Sequence, residues 1–216
     1  VSAGELAVAL RGGVAEIDAD LDLGPGGALT AQGTARPFAD PLTFDLRGTM
    51  RNLDLAEVQG IPERYSDLTG TYVATGAGVD PATMTLDARV VLTEPSSYGE
   101  QLVDAADLAV TLRNGDLAVN GTLDAPGGRF DLALTGRPFS DNPRYAFDGT
   151  CFSDLDLSTL TTSGPRSDLN GCFTGRIDGL AALAEGDGGG VVTLRPSTVN
   201  DAEIEGGEIA FTLDDG

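Results

Sequence analysis

The stretch ELAVALRGG, residues 5–13, returns as DLAVTLRNG at 107–115 and again as EIAFTLDDG at 208–216. Leu6, Leu108 and Ile209 hold the same place in the three copies, which sets a period of about 100 residues. Within each copy, large apolar residues alternate with small ones. Leu6, Val8 and Leu10 flank Ala7 and Ala9; Leu108, Val110 and Leu112 flank Ala109 and Thr111; Ile209, Phe211 and Leu213 flank Ala210 and Thr212. A period of two places the large residues on one face of a strand.

Other landmarks keep the same register. ARPFADP (35–41) answers GRPFSDNP (136–143), LDLA (53–56) answers LDLS (155–158), SDLTG (66–70) answers SDLNG (167–171), and VVLTEPS (90–96) answers VVTLRPS (191–197). The copies divide the chain into the end of a preceding repeat, 1–13, and two complete repeats, 14–115 and 116–216. The expectation is one continuous structure that forms part of a longer array, with capping segments outside it.

Alternation dominates the rest of the chain, and there the face opposite the apolar residues is acidic or polar, as in IDADLDL (17–23), MTLDARVVL (84–92) and FDLALTG (130–136). Turn signals such as GPGG (24–27), APGG (125–128) and SDNP (140–143) separate the runs at short spacing, and 30 Gly and 11 Pro punctuate the chain for hairpins. Each repeat has room for about eight strands. Helical periodicity is confined to a turn after residue 53 and a weak run, GLAALAEG, at 179–186. The fold class expected is all-β. An antiparallel sheet with one wet and one apolar face must hide the apolar one, and aromatic residues make up only 6% of the chain, too few for a thick sandwich core. The economical solution is a long twisted sheet curled into an open apolar groove, a β-taco or solenoid-like form.

Composition excludes several functions. Acidic residues number 34 against 13 basic ones, all Arg, for a net charge of -21, so no basic stripe exists to hold a nucleic acid backbone. The scattered Asp and Glu read as a solvated face and fit a salt-loving host. The chain has no His, which removes the usual nucleophile-base pairs and the commonest metal ligand. No catalytic residues, metal ligands or cofactor are assigned, and the chain is read as a non-enzyme. The glycine-rich loops lack phosphate-binding spacing and read as turns. In the RPF motifs, Arg36 and Arg137 are expected exposed and Phe38 and Phe139 packed as staples. Cys151 and Cys172 sit in strands on either side of a loop, where they either face each other as a disulfide, which requires an oxidising compartment, or stand as two small buried residues. No stretch has the apolar length of a membrane-spanning helix.

The order LDLA, SDLTG, a following Gly76, Gly78, Asp80 and Pro81, a strand ending in PS, then LxVxLxxG and a Gly-rich hairpin resembles the AsmA-like superfamily of bacterial envelope proteins, in particular the periplasmic region of its TamB-type members. The resemblance covers essentially the whole chain, and departs from the pattern at GRIDGLAALAEGDGGG (175–190). It implies a periplasm-spanning groove anchored in the inner membrane, which shields and conducts phospholipid between the inner and outer membranes. It further implies a role in outer-membrane assembly with a barrel partner. On this reading Leu6, Val8, Leu10, Leu108, Val110, Leu112, Ile209, Phe211 and Leu213 line the groove and meet acyl chains. The competing expectation is a secreted or surface β-repeat spacer or adhesin, with a closed core and no ligand.

Overall fold

A computed structural model describes residues 3–59, 65–99, 101–160, 163–178 and 187–213. Among these the chain is all-β, with seventeen strands, every pairing described being antiparallel, and three short helical turns, one of them a 3-10 turn at Gly24–Gly26. It divides into two compact units, Val1–Asn114 and Gly115–Gly216.

The first unit runs β1 (Ala3–Arg11), β2 (Val14–Asp22), β3 (Ala28–Arg36), β4 (Thr43–Leu53), α1 (Leu55–Gln59), β5 (Ser66–Ala77), β6 (Thr85–Leu92), β7 (Ser96–Tyr98), β8 (Gln101–Val103) and β9 (Ala105–Arg113). Strands β1 to β6 form a meander, and β9 pairs along β6. The β7–β8 hairpin leaves the main sheet and pairs with the first residues of β5. Within this unit β1 and β9 do not pair with each other, so its sheet is open. The second unit runs β10 (Asp116–Ala125), β11 (Gly128–Gly136), β12 (Arg144–Leu155), α2 (Leu157–Leu160), β13 (Ser167–Asp178), β14 (Asp187–Leu194), β15 (Ser197–Val199), β16 (Ala202–Ile204) and β17 (Gly207–Leu213). It has the element order and pairing of β2 to β9, with β17 along β14 and the β15–β16 hairpin on β13. The helical turn expected after residue 53 is α1, whereas the run at 179–186 lies outside the described residues.

Cross-strand partners share a face, so the ladders trace apolar rows across each sheet. In the first unit one row is Leu10, Ala15, Ala35, Phe44, Gly76, Leu86 and Leu112. The next is Val8, Ile17, Gly33, Leu46, Ala74, Ala88 and Val110, and a third ends Tyr72, Val90 and Leu108. The intervening residues, among them Asp18, Asp45, Asp87 and Arg89, are exposed on the opposite face. Burial is shallow: Met50, Leu92 and Ala106 form the one buried cluster of the described residues, with Leu29, Leu53, Leu68, Val90, Val103 and Leu108 packed against it. The chain exposes 12956 Å², where two separate globules of half its mass would expose roughly 11,000 Å². The excess is in keeping with open sheets rather than two closed globules.

Glycine lets rings lie flat on this face. In the second unit the row Val119, Leu134, Phe147, Gly175, Gly190, Phe211 carries two adjacent glycines. The Phe173 ring covers both, since a Cβ on Gly175 or Gly190 would stand 2.7 or 2.5 Å from it. Phe173 lies 5.2 Å from Phe147 and 5.7 Å from Phe211 between ring centres, a continuous aromatic strip. Phe44 over Gly76, Tyr145 over Gly136 and Phe152 over Gly171 repeat the device.

The repeated sequence anchors are a hydrogen-bonded latch at the other end of the strands. Asp54 Oδ1 accepts the N–H groups of Ala56 and Ser66, while the Ser66 hydroxyl donates to the Leu53 carbonyl and accepts from the Leu55 N–H. Asp156 and Ser167 make the same set with Ser158, Leu155 and Leu157. Ser96 and Ser197, the ends of the PS landmarks, accept from Thr69 and Asn170 N–H. The Gly26 and Gly127 carbonyls of the Gly-rich turns accept the N–H of Asp54 and Asp156. LDL, SDL and PS recur because each supplies one side of this latch.

Two outcomes follow. Gly190→Val should cost about 1–3 kcal/mol in urea denaturation because Cβ overlaps the Phe173 ring, whereas Gly207→Ala, with open space at its Cβ, should stay near wild type. The Asp156 carboxyl is held below its ordinary range by the backbone N–H groups of Ser158 and Ser167, then by the Ser158 hydroxyl. Its contribution is complete above the unfolded value of about 3.9 and is lost as pH falls through the lower folded value. Asp156→Asn should therefore flatten the loss of stability that sets in as pH falls below about 5 and through the folded value, as read from urea midpoints.

Candidate functional site

The apolar face gathers the residues that the sequence singles out, though unequally. Leu6, Val8 and Leu10 on β1 share a face with Leu108, Val110 and Leu112 on β9, at opposite margins of the first sheet. Those on β1 are open, Leu6 being 64% exposed, because an end strand has a neighbour on one side only. Leu112 is buried, and Leu108 packs onto the Met50, Leu92 and Ala106 cluster. In the second unit Ile209 and Leu213 are exposed, and Phe211 stacks on Phe173. Phe44 and Tyr72 in the first unit and Phe147 and Phe173 in the second also lie on the apolar face and escape a reading based on one recurrent strand. Tyr72 remains compatible with an apolar face because its hydroxyl donates to the Thr30 carbonyl at 3.0 Å, and burial raises its pKa.

The opposite face is charged and solvated. Arg89 holds Asp107 and Arg113 holds Asp87 in two-pronged pairs, all with exposed side chains. Arg137 pairs with Asp116 in the same way. Such pairs contribute little to stability. A hollow of about 490 Å³ on this face is lined by Asp18, Asp20, Gln32, Arg47, Thr49 and Thr71. Its hydrogen bonds, such as Gln32 to Asp18, are those of a hydrated strand surface. Among the described residues no group of three or more His, Cys, Asp or Glu is placed to hold a metal ion.

One expectation is corrected at the RPF turns. Phe38 and Phe139 are not packed staples: they are 77% and 51% exposed, because the tight turns closed by Ala39 N–H to Arg36 and by Ser140 N–H to Arg137 point them off the sheet.

Cys151 and Cys172 are direct cross-strand partners in β12 and β13 and are joined as a disulfide. The bond lies on the polar face, in the row Asp131, Cys151, Cys172, Thr193, and Arg195 Nη2 donates to the Cys172 sulfur at 3.2 Å. Thr49 and Thr71 occupy the same places in the first unit.

No protein family, no curated protein and no solved structure matches the chain. No helix among the described residues is long and apolar enough to cross a membrane.

The disulfide closes a sequence separation of 21 residues. Chain-entropy arguments give it about 3 kcal/mol. Adding a phosphine reductant should lower the denaturation midpoint of the wild-type chain and leave a Cys151→Ser, Cys172→Ser variant unmoved.

Proposed function

We propose that this chain is a non-enzymatic segment of a cell-envelope bridge, in which ~100-residue repeats stack their sheets into an apolar groove that shields phospholipid acyl chains between the inner and outer membranes. The observation that carries the reading is the run of apolar ladder rows across each open sheet, from exposed Leu6, Val8 and Leu10 through Phe44 and Leu86 to Leu112 in the first unit. Covering such a face with an acyl chain yields about 0.8 kcal/mol per buried CH₂ group, and no specific pocket is required. A disulfide suits the oxidising periplasm, and the resemblance to AsmA-like, TamB-type proteins supports the same compartment and an outer-membrane barrel partner. The absence of any large fully buried side chain among the described residues weighs against the closed-core spacer or adhesin.

A photocrosslinking residue at Val110 should label with phospholipid in cells, and one at Thr111, on the opposite face, should not. Equal labelling at the two positions, or none at either, would remove the groove assignment.

A further inference from the structure

Strand β1 is an end strand of nine residues without proline, pairing with β2 alone among the described strands, and every one of its residues is exposed. Its outer row of backbone N–H and C=O groups is available to another strand. Its sequence follows the pattern of β9, Glu5 standing for Asp107, Leu6 for Leu108, Val8 for Val110, Leu10 for Leu112 and Arg11 for Arg113. The structure shows what β9 accepts along its ladder with β6: Asp87 opposite Thr111 reaches diagonally to Arg113, and Arg89 opposite Ala109 reaches diagonally to Asp107.

β1 presents the same two charges unused. Neither Glu5 nor Arg11 has an ion-pair partner among the described residues. Glu5 moreover stands directly opposite Asp20 on β2, a like-charge pair that an incoming cation relieves. We propose that the outer edge of β1 is a strand-addition site, occupied by an antiparallel strand that carries Asp and Arg two residues apart within alternating apolar residues, as β6 does. The Asp meets Arg11, the Arg meets Glu5, and the apolar residues extend the rows of Leu6, Val8 and Leu10 by one strand.

The charge pattern is selective. In the second unit the ladder of β14 with β17 has Gly189 and Val191 in the places of Asp87 and Arg89, so a β14-type strand offers β1 neither charge. A second copy of the chain presenting β17 fits no better, since Gly207–Leu213 contains no arginine to answer Glu5.

The test uses the whole chain and a fluorescent peptide of residues 84–92, MTLDARVVL, beside one with its Asp and Arg exchanged, MTLRADVVL. By anisotropy the wild-type chain should bind the first and bind the second about tenfold more weakly. The variant Glu5→Arg, Arg11→Asp should reverse that preference; both side chains are exposed, and an unchanged circular dichroism spectrum checks the fold. Equal binding of the two peptides by the wild-type chain, no binding of either, or an unreversed preference in the variant would overturn the proposal. So would sedimentation showing that the wild-type chain dimerises and a Glu5→Arg variant does not, which would assign the edge to a second copy.

Discussion

The apolar face depends on strand register. A slip of one residue in any ladder turns a strand's large side chains to the wet side, and in the first unit the rows cross six consecutive pairings without such a slip. Register is fixed at both ends of the strands. At one end are hairpins such as Gly12–Gly13, whose positive φ angles suit glycine. At the other is the Asp–Ser latch, which ties β4 to β5 through Asp54 and Ser66, and β12 to β13 through Asp156 and Ser167. The recurring polar motifs thus serve the apolar rows: they set which residues face which way.

With register held, the thickness of the face is set by glycine. An aromatic ring standing upright on a sheet needs a second layer to cover it, whereas a ring lying over a glycine on the same face buries one of its sides against backbone. Phe173 over Gly175 and Gly190 is the clearest case. This explains how a chain with 6% aromatic residues and no Trp sustains an ordered apolar surface with no large side chain fully buried among the described residues.

Strand type, the approximate number of strands and the parity of the recurrent strand were legible in the sequence, because a period of two survives wherever both faces are chemically distinct. The ring-over-glycine strip was not, since Gly175 and Gly190 lie 15 positions apart and meet only through the β13–β14 register. Parity itself misleads in β12. Phe147 and Phe152 differ by an odd number of residues yet share the apolar face, because a bulge near Gly149 inserts one extra residue and the Thr150 hydroxyl bonds both the N–H and the carbonyl of Ala133 in its place. The exposed RPF rings were misread for a related reason: nothing local to the motif states which way a tight turn aims its third residue.

The two units differ where their frameworks agree. Behind the same latch and hairpins, the first carries paired charges along β6 and β9, and the second carries Gly189 and Val191 in the places of Asp87 and Arg89 and a disulfide in place of a threonine pair. These differences fall on the polar face; on the apolar face the second unit has Gly188 and Gly190 in the places of Leu86 and Ala88. Under the proposed acyl-shielding role any large apolar residue serves, and a deep pocket would arrest the chain it held. Specific chemistry belongs on the other face and at the edges, where each strand must be matched to one neighbour and no other. The charges of Glu5 and Arg11 on the outer edge of β1 belong to that second category.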